Sequence, residues 1–128
     1  MRRSLIAAGV VLALAAPAAG QAAPRCEAPA PKFDAGSKFA GEVRQVIDHQ
    51  TLCVGRAPNP DTWVKVQLTD LAEVERPGWR ARSALRRVAL GKYAVCTVSR
   101  PDYAETDPVP AVCRVAGVSV GGRARKAN

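Results

Sequence analysis

The sequence predicts a small, mainly β domain that contains a single helix. Three observations lead to this fold class. Residues 62–68 alternate between apolar and polar side chains, as in a half-buried strand. Residues 79–90 repeat apolar side chains at helical spacing, and a glycine follows them. Prolines and glycines divide the other apolar runs into short segments, which is typical of strands joined by loops.

The first half of the domain predicts three strands. Phe39, Val43 and Ile47 indicate one buried face of a first strand. A polar turn at residues 48–50 then leads into a second strand over residues 51–54, so the two strands form a hairpin.

The third strand shows the clearest alternation in the chain. Val64, Val66 and Leu68 share one face, and Lys65 and Gln67 share the other. Because successive strand side chains point to opposite faces, we expect Lys65 to project outward from the core.

The second half predicts a helix and two further strands. Pro77 and Gly78 introduce the helix over residues 79–90, and Gly91 ends it. Its apolar stripe consists of Ala81, Leu85, Val88 and Ala89, with Arg80, Arg82, Arg86 and Arg87 mostly opposite. Residues 93–99 and 111–115 read as strands, a loop with three prolines joins them, and residues 118–120 suggest a last short strand.

Three strands, a helix and two strands predict a small five-stranded OB-type barrel (β-β-β-α-β-β) over residues 37–120. Trp63 and Trp79 fall beside apolar stripes and are expected in the core. Residues 23–36 are rich in proline and alanine and predict a flexible lead-in. Residues 121–128 predict a basic, disordered tail.

The N-terminus predicts a secretory signal peptide over residues 1–22. Arg2 and Arg3 form a positive start, and residues 5–16 are an apolar run too short to span a bilayer. Cleavage after Ala22 fits best, because Gly20 and Ala22 then occupy the small-residue positions before the cut. Cleavage after Gly20 or Ala23 and an uncleaved membrane anchor are the alternatives. We expect a mature chain of 106 residues (128 − 22) that is periplasmic or secreted, monomeric and without a transmembrane segment.

All four cysteines lie in the predicted mature part. An even number in a small exported domain predicts two disulfides, with three possible pairings. A metal site is the weaker interpretation, because the chain has no C-x-x-C motif and its one histidine is His49.

The chain is basic, with a formal net charge of +8 that falls to +6 without Arg2 and Arg3. A positive domain attracts nucleic acid, anionic lipid or cell-wall polyanions. The simpler interpretation is that the charge only aids solubility.

Four segments, in a shared order and spacing, carry a resemblance to a known family. Residues 46–51 are similar to that family's V-I-D-G-D-T hairpin, and residues 66–73 keep its D-x-x-E spacing. Residues 81–96 resemble its helix followed by L-G-K, and residues 107–117 resemble the strand that ends in V-x-G. Residues 41–120 therefore resemble the staphylococcal nuclease, or thermonuclease-like, family.

The resemblance implies an OB barrel that hydrolyses DNA and RNA phosphodiesters with calcium. Asp70 falls on one metal carboxylate of the family, and Asp48 and Gln50 fall on the two acids of its metal-binding turn. Glu73 falls on the general base, and Lys65 falls on an arginine that holds the phosphate.

Three positions depart from the family pattern. Gln50 offers an oxygen without charge, so calcium affinity should drop, although Asp48 compensates in part. Lys65 keeps the charge but lacks the bidentate fork of arginine. Pro108 occupies the position of a second arginine and carries neither charge nor donor, and such arginines contribute on the order of a thousandfold in related chemistry.

The resemblance also implies a disulfide pairing and a C-terminal difference. Cys96 and Cys113 fall on strands that the family places side by side, which leaves Cys26 with Cys53. The family continues into a further helix, whose start is replaced here by two glycines, so we expect that helix to be missing.

Three functions remain open. The departures at Gln50 and Pro108 favour a catalytically impaired barrel that binds nucleic acid or another polyanion. Asp70 and Glu73 indicate an active calcium-dependent phosphodiesterase, although both acids have a simpler interpretation as solvated loop residues. A structural or interaction module of the cell envelope requires only the barrel and its disulfides.

Overall fold

The computed structural model describes residues 9–11, 26–71 and 79–127. The predicted signal peptide, apart from residues 9–11, lies outside the described residues, and so do Pro77 and Gly78. In chain order the elements are β1 (Lys38–Val46), β2 (Thr51–Gly55), β3 (Val64–Leu68), α1 (Trp79–Ala89), β4 (Tyr93–Val98), β5 (Val109–Val115), β6 (Val118–Ser119) and α2 (Val120–Ala127). Among the described residues, no helix is long and apolar enough to cross a membrane.

The strands form one sheet in the order β3-β2-β1-β4-β5-β6, and pairing of β3 with β5 closes the first five into a barrel. The other neighbouring strands are antiparallel, whereas β3 and β5 are parallel. A closed five-stranded barrel with a helix between its third and fourth strands is the OB-type arrangement, so the predicted fold class is confirmed.

The core fills the barrel and extends to the helices. Leu52, Val66 and Ala111 are fully buried inside the barrel, and Leu85 of α1 and Val120 of α2 belong to the same cluster. Burying a large aliphatic side chain stabilises a protein by about 1.5–3 kcal/mol. These contacts therefore attach both helices to the barrel, and the helices also pack against each other.

A β-bulge in β1 changes which residues face the core. The pairing of β1 with β2 shifts by one residue between Val43 and Gln45. One extra residue reverses the alternation that follows it, so Val46 joins Val43 in the core. The predicted face of Phe39, Val43 and Ile47 is therefore wrong at Ile47, which packs in a separate cluster with the Cys26–Cys53 pair.

The predicted flexible lead-in is an ordered strap from residue 26 onward. We call residues 26–37 the N-terminal strap. The backbone N–H of Ala30 donates to the Glu105 carbonyl at 2.8 Å, and the N–H of Phe33 donates to the Tyr103 hydroxyl at 2.7 Å. The Tyr103 hydroxyl in turn donates to the Pro31 carbonyl. The prediction of flexibility from composition is wrong here, because the partners that order the strap lie about 70 residues away in the chain.

The predicted disordered tail is a helix. Residues Val120–Ala127 form α2, and Val120 and Ala124 are buried. The Ser119 hydroxyl caps the helix by accepting from the Gly122 N–H at 3.0 Å. The two glycines weaken intrinsic helix propensity, but packing against α1 and β5 outweighs that cost.

The structure joins Cys96 to Cys113 and Cys26 to Cys53, the pairing that the resemblance implied. Cys96 and Cys113 face each other on β4 and β5 and belong to the core of the barrel. Cys53 lies on the opposite face of β2 from the core residue Leu52, and its bridge attaches the strap to the outside of the barrel.

Replacing Cys26 and Cys53 together with alanine is expected to lower the free energy of unfolding by about 3 kcal/mol, because the bridge closes a loop in the unfolded chain. The same variant should speed hydrogen exchange at the amides of Ala30 and Phe33. The matched control replaces Cys96 and Cys113 with alanine, which removes a bridge of similar span, 17 against 27 residues. The control should lose comparable stability in denaturant titration but keep local protection of the strap. Equal protection of the strap in both variants would contradict its attachment through Cys26.

Candidate functional site

The β1–β2 turn lies beside the end of β3. The Gln50 N–H donates to Asp48 Oδ1 at 2.9 Å, which closes the turn locally. The Gln50 carbonyl accepts from the Leu68 N–H at 2.8 Å, two residues before Asp70. The structure therefore brings the turn and the segment with the predicted metal carboxylate to the same end of the barrel.

The carboxylate of Asp70, however, contacts the start of α2. The Ser119 hydroxyl donates to Asp70 Oδ2. Oδ1 is buried and accepts no hydrogen bond from the described residues. A Cβ added to Gly121 would lie only 2.5 Å from Oδ1, so the carboxylate occupies the space that a side chain at residue 121 would fill.

Electrostatics explain why the carboxylate lies there. The first turn of a helix carries partial positive charge and stabilises nearby anions. The first turn of α2 has no acidic residue of its own, and Asp70 supplies a negative charge from the segment after β3. Ser119 links the two by donating to Asp70 while it accepts from Gly122. In this arrangement Asp70 has a structural role, holding α2 against the end of β3.

Gly121→Ala and Gly122→Ala form a matched pair that tests this contact. Both changes raise intrinsic helix propensity by roughly 1 kcal/mol. A Cβ at residue 121 collides with Asp70, whereas the nearest atom to a Cβ at residue 122 is 3.5 Å away. We expect Gly122→Ala to be neutral or stabilising in denaturant titration and Gly121→Ala to destabilise by about 1–3 kcal/mol. Equal stability of the two variants would show that Asp70 is not packed against α2.

Lys65 projects from the outside of the barrel, as the alternation predicted. It is half-buried and lies outside the core cluster. Its direct neighbour across the β2–β3 pair is Cys53, which carries the bridge to the strap. The strap is therefore attached beside the residue that the resemblance assigned to phosphate binding.

OB barrels bind oligonucleotides on the outer face of their second and third strands, between the loops that follow the first and fourth strands. Here the outward residues of β2, namely Thr51, Cys53 and Gly55, are all buried. Trp63 packs against Cys53 and helps to bury it. The strap is hydrogen-bonded to Tyr103 in the β4–β5 loop. The β2 half of the usual OB ligand face is thus covered by the protein itself, whereas Lys65 and Gln67 of β3 stay partly exposed.

The arginine expected before β5 has no replacement near Asp70 among the described residues. Pro108 immediately precedes β5. Arg100, in the same loop, pairs with Asp102 at 3.4 Å. Arg114 is exposed on β5, and no described arginine or lysine lies within ion-pair distance of Asp70.

The described residues do not fit a calcium site. Over residues 9–11, 26–71 and 79–127, no three or more His, Cys, Asp or Glu side chains cluster so as to hold a metal ion. A calcium ion requires several oxygen ligands, and Asp70, the carboxylate that should anchor it, is bonded to Ser119. Glu73, the predicted general base, lies outside the described residues.

A cationic surface stands out on the helices, which we call the helical layer, α1 together with α2. Neither helix contains an acidic residue. Four arginines of α1 and three basic residues of α2 are exposed: Arg80, Arg82, Arg86, Arg87, Arg123, Arg125 and Lys126. The sequence placed the α1 arginines opposite the apolar stripe, but it did not predict the second helix.

Trp79 belongs to the same surface, and its predicted core position is wrong. Its side chain is 74% exposed, whereas Trp63 is buried as predicted. At about 100° per residue, Trp79, Ser83 and Arg86 share one side of α1, opposite Ala81 and Leu85. This wheel position is the sequence signal that identifies Trp79 as a surface residue.

A small cleft lies beside Trp79. It has a volume of about 240 Å³ and is lined by Trp79, Arg80, Ser83, Arg87 and, from the end of α2, Ala127. The Arg80 guanidinium lies 5.5 Å from the centroid of the indole ring. Two guanidinium groups, a hydroxyl and an aromatic face therefore line one concave place.

Interaction with the helix dipole does not explain the positions of all of these cations. Positive side chains stabilise the C-terminal turn of a helix and oppose the positive N-terminal end. Arg86, Arg87, Arg125 and Lys126 follow this rule, whereas Arg80 lies in the first turn of α1, where no acidic residue is present. The helix dipole therefore does not explain the position of Arg80.

Comparison with protein-family models and with curated proteins finds no match for the chain.

Proposed function

We propose that this chain is an exported, thermonuclease-like OB domain that lacks catalysis and binds nucleic acid or another polyanion through its helical layer. The observation that carries the proposal is the set of seven exposed cations on two adjacent helices that contain no acidic residue. Such a surface attracts phosphate or sulfate groups over a Debye length of about 8–10 Å.

The geometry around Asp70 supports the absence of catalysis. Calcium-dependent hydrolysis needs an anionic oxygen cluster for the ion and cations for the phosphate. Here Asp70 is bonded to Ser119, Gln50 carries no charge, and Pro108 carries no donor. The Cys26–Cys53 bridge and Trp63 further cover the β2 part of the barrel face on which OB domains bind nucleic acid strands.

Export is supported by the N-terminal pattern and by the cysteines. Residues 1–22 have the charge and apolar run of a signal peptide. Both disulfides bury their cysteines, and the described residues contain no free cysteine. Such bridges persist in oxidising compartments.

Arg80→Gln combined with Arg123→Gln is expected to weaken binding of a labelled single-stranded oligothymidine and of dextran sulfate. Both residues are exposed, and neither lies in the last turn of its helix, so the change should spare stability. The slope of log K against log salt concentration should fall by about 1.4 for the oligothymidine, since each phosphate contact contributes about 0.7. Fluorescence anisotropy over a salt series measures both quantities.

The control for this variant is Lys32→Gln combined with Lys38→Gln, which removes equal charge from the strap and β1. If the control lowers the affinity and the salt slope as much as the helical variant does, net charge and not the helical layer governs binding. If the unmodified protein binds neither probe, the proposed function fails.

We expect the purified protein not to cleave single-stranded DNA in the presence of calcium, because the Asp70 carboxylate is hydrogen-bonded to Ser119 at the start of α2. The protein is incubated with the DNA at a concentration typical of nuclease assays, once with calcium and once with chelator. The DNA should stay intact in both. Glu73→Gln serves as the background control for contaminating nuclease. Chelator-sensitive cleavage that Glu73→Gln abolishes would overturn the proposal in favour of an active phosphodiesterase.

A further inference from the structure

We propose that the helical layer binds the surface of an anionic phospholipid bilayer, with Trp79 as its interfacial anchor. This inference rests on the proposed polyanion binding and names the polyanion.

Trp79 has the position that an anchor needs. It is the first residue of α1, it points to the exposed side of that helix, and 74% of its side chain is accessible. Arg82 and Arg86 lie on one side of it around the helix, and Arg80 and Arg87 on the other. An indole ring combines a large apolar surface with one N–H donor, and tryptophan is accordingly enriched where a bilayer meets water.

The cations supply the attraction to anionic headgroups. A basic side chain near such a surface contributes about 1 kcal/mol, or roughly a fivefold gain in partitioning. Several of the seven cations acting together would suffice for peripheral binding, and clusters of four to eight on helices are typical of it. The cleft beside Trp79 brings the Arg80 and Arg87 side chains and the Ser83 hydroxyl around a space that suits a phosphate headgroup.

A bilayer fits this surface better than a nucleic acid strand does. Single strands are held by a groove with several aromatic side chains on which successive bases stack. In the described helical layer Trp79 is the one aromatic residue, and the cations extend over two helices. The other exposed aromatic, Tyr93, lies on β4 of the barrel.

The packing of the apolar sides of both helices determines how the domain would be oriented on a bilayer. Leu85, Ala89, Val120 and Ala124 pack into the barrel core and are unavailable to lipid. The helices therefore lie on the headgroups without inserting their apolar faces, in contrast to free amphipathic helices. Binding of this kind is reversible and sensitive to salt.

The experiment measures partitioning of the purified protein onto vesicles of phosphatidylcholine, with and without phosphatidylglycerol. We expect co-sedimentation with the anionic vesicles alone, and a roughly tenfold loss of partitioning for Trp79→Ala, from withdrawal of its apolar surface. Tyr93→Ala, the matched exposed aromatic, should partition like the unmodified protein. Vesicles should also shift the tryptophan emission to the blue, and Trp79→Phe, which keeps only the buried Trp63, should abolish the shift.

Dextran sulfate separates the failure of this inference from failure of the proposed function. Trp79→Ala should lose much less binding to dextran sulfate than partitioning onto anionic vesicles, because dextran sulfate offers no apolar phase. Binding to dextran sulfate without partitioning onto anionic vesicles would overturn the bilayer proposal alone. Equal partitioning of Trp79→Ala and the unmodified protein would also overturn it. An equivalent tenfold loss of oligothymidine binding in Trp79→Ala would assign the tryptophan to base stacking instead.

Discussion

The parallel pairing of β3 with β5 is the constraint on which the rest of the structure depends. It closes the sheet and removes the free edges that an open five-stranded sheet would expose. The ladder continues past β3, where the Thr69 N–H donates to the Ala111 carbonyl at 3.1 Å. This closure fixes where the segment after β3 meets the segment after β5. The contact between Asp70 and Ser119, and with it the position of α2, follows from that closure.

The structure gives Asp70 a partner other than the one that the resemblance implies. The Leu68 N–H donates to the Gln50 carbonyl and brings the β1–β2 turn to this end of β3, where the resemblance implies that the Asp70 carboxylate binds a metal. Its hydrogen bond, however, goes to Ser119 at the start of α2. Gly121 leaves the room that this contact requires. Gly121, one of the two glycines that argued against a helix on propensity, is thus what allows Asp70 to approach that helix.

The two chemical faces of the molecule are separated. On the outer face of β2, the Cys26–Cys53 bridge and Trp63 cover part of the place where OB barrels bind their ligands. The seven cations and Trp79 are exposed on other elements, α1 and α2. The binding function that we propose therefore belongs to the helices and not to the outer face of the barrel. The disulfide at Cys53 contributes to this division, because it attaches the strap beside Lys65.

Local pattern was sufficient for part of the fold and of the site. The helix start at residue 79 and the outward position of Lys65 could be read from side-chain period, since both depend on neighbours within a few residues. The bulge at Val43–Gln45 could not, because alternation assumes regular pairing. The strap could not either, because Ala30 and Phe33 bond to residues about 70 positions away.

By itself the sequence determined the class of the fold, the basic charge and the even set of cysteines, because composition and period depend only on the chain. The tertiary structure alone decided that Asp70 faces α2, that Trp79 is exposed and that residues 120–127 are helical. Each of these outcomes depends on which distant segment packs against the residue. The energy of that packing outweighs the local preferences from which a sequence is read.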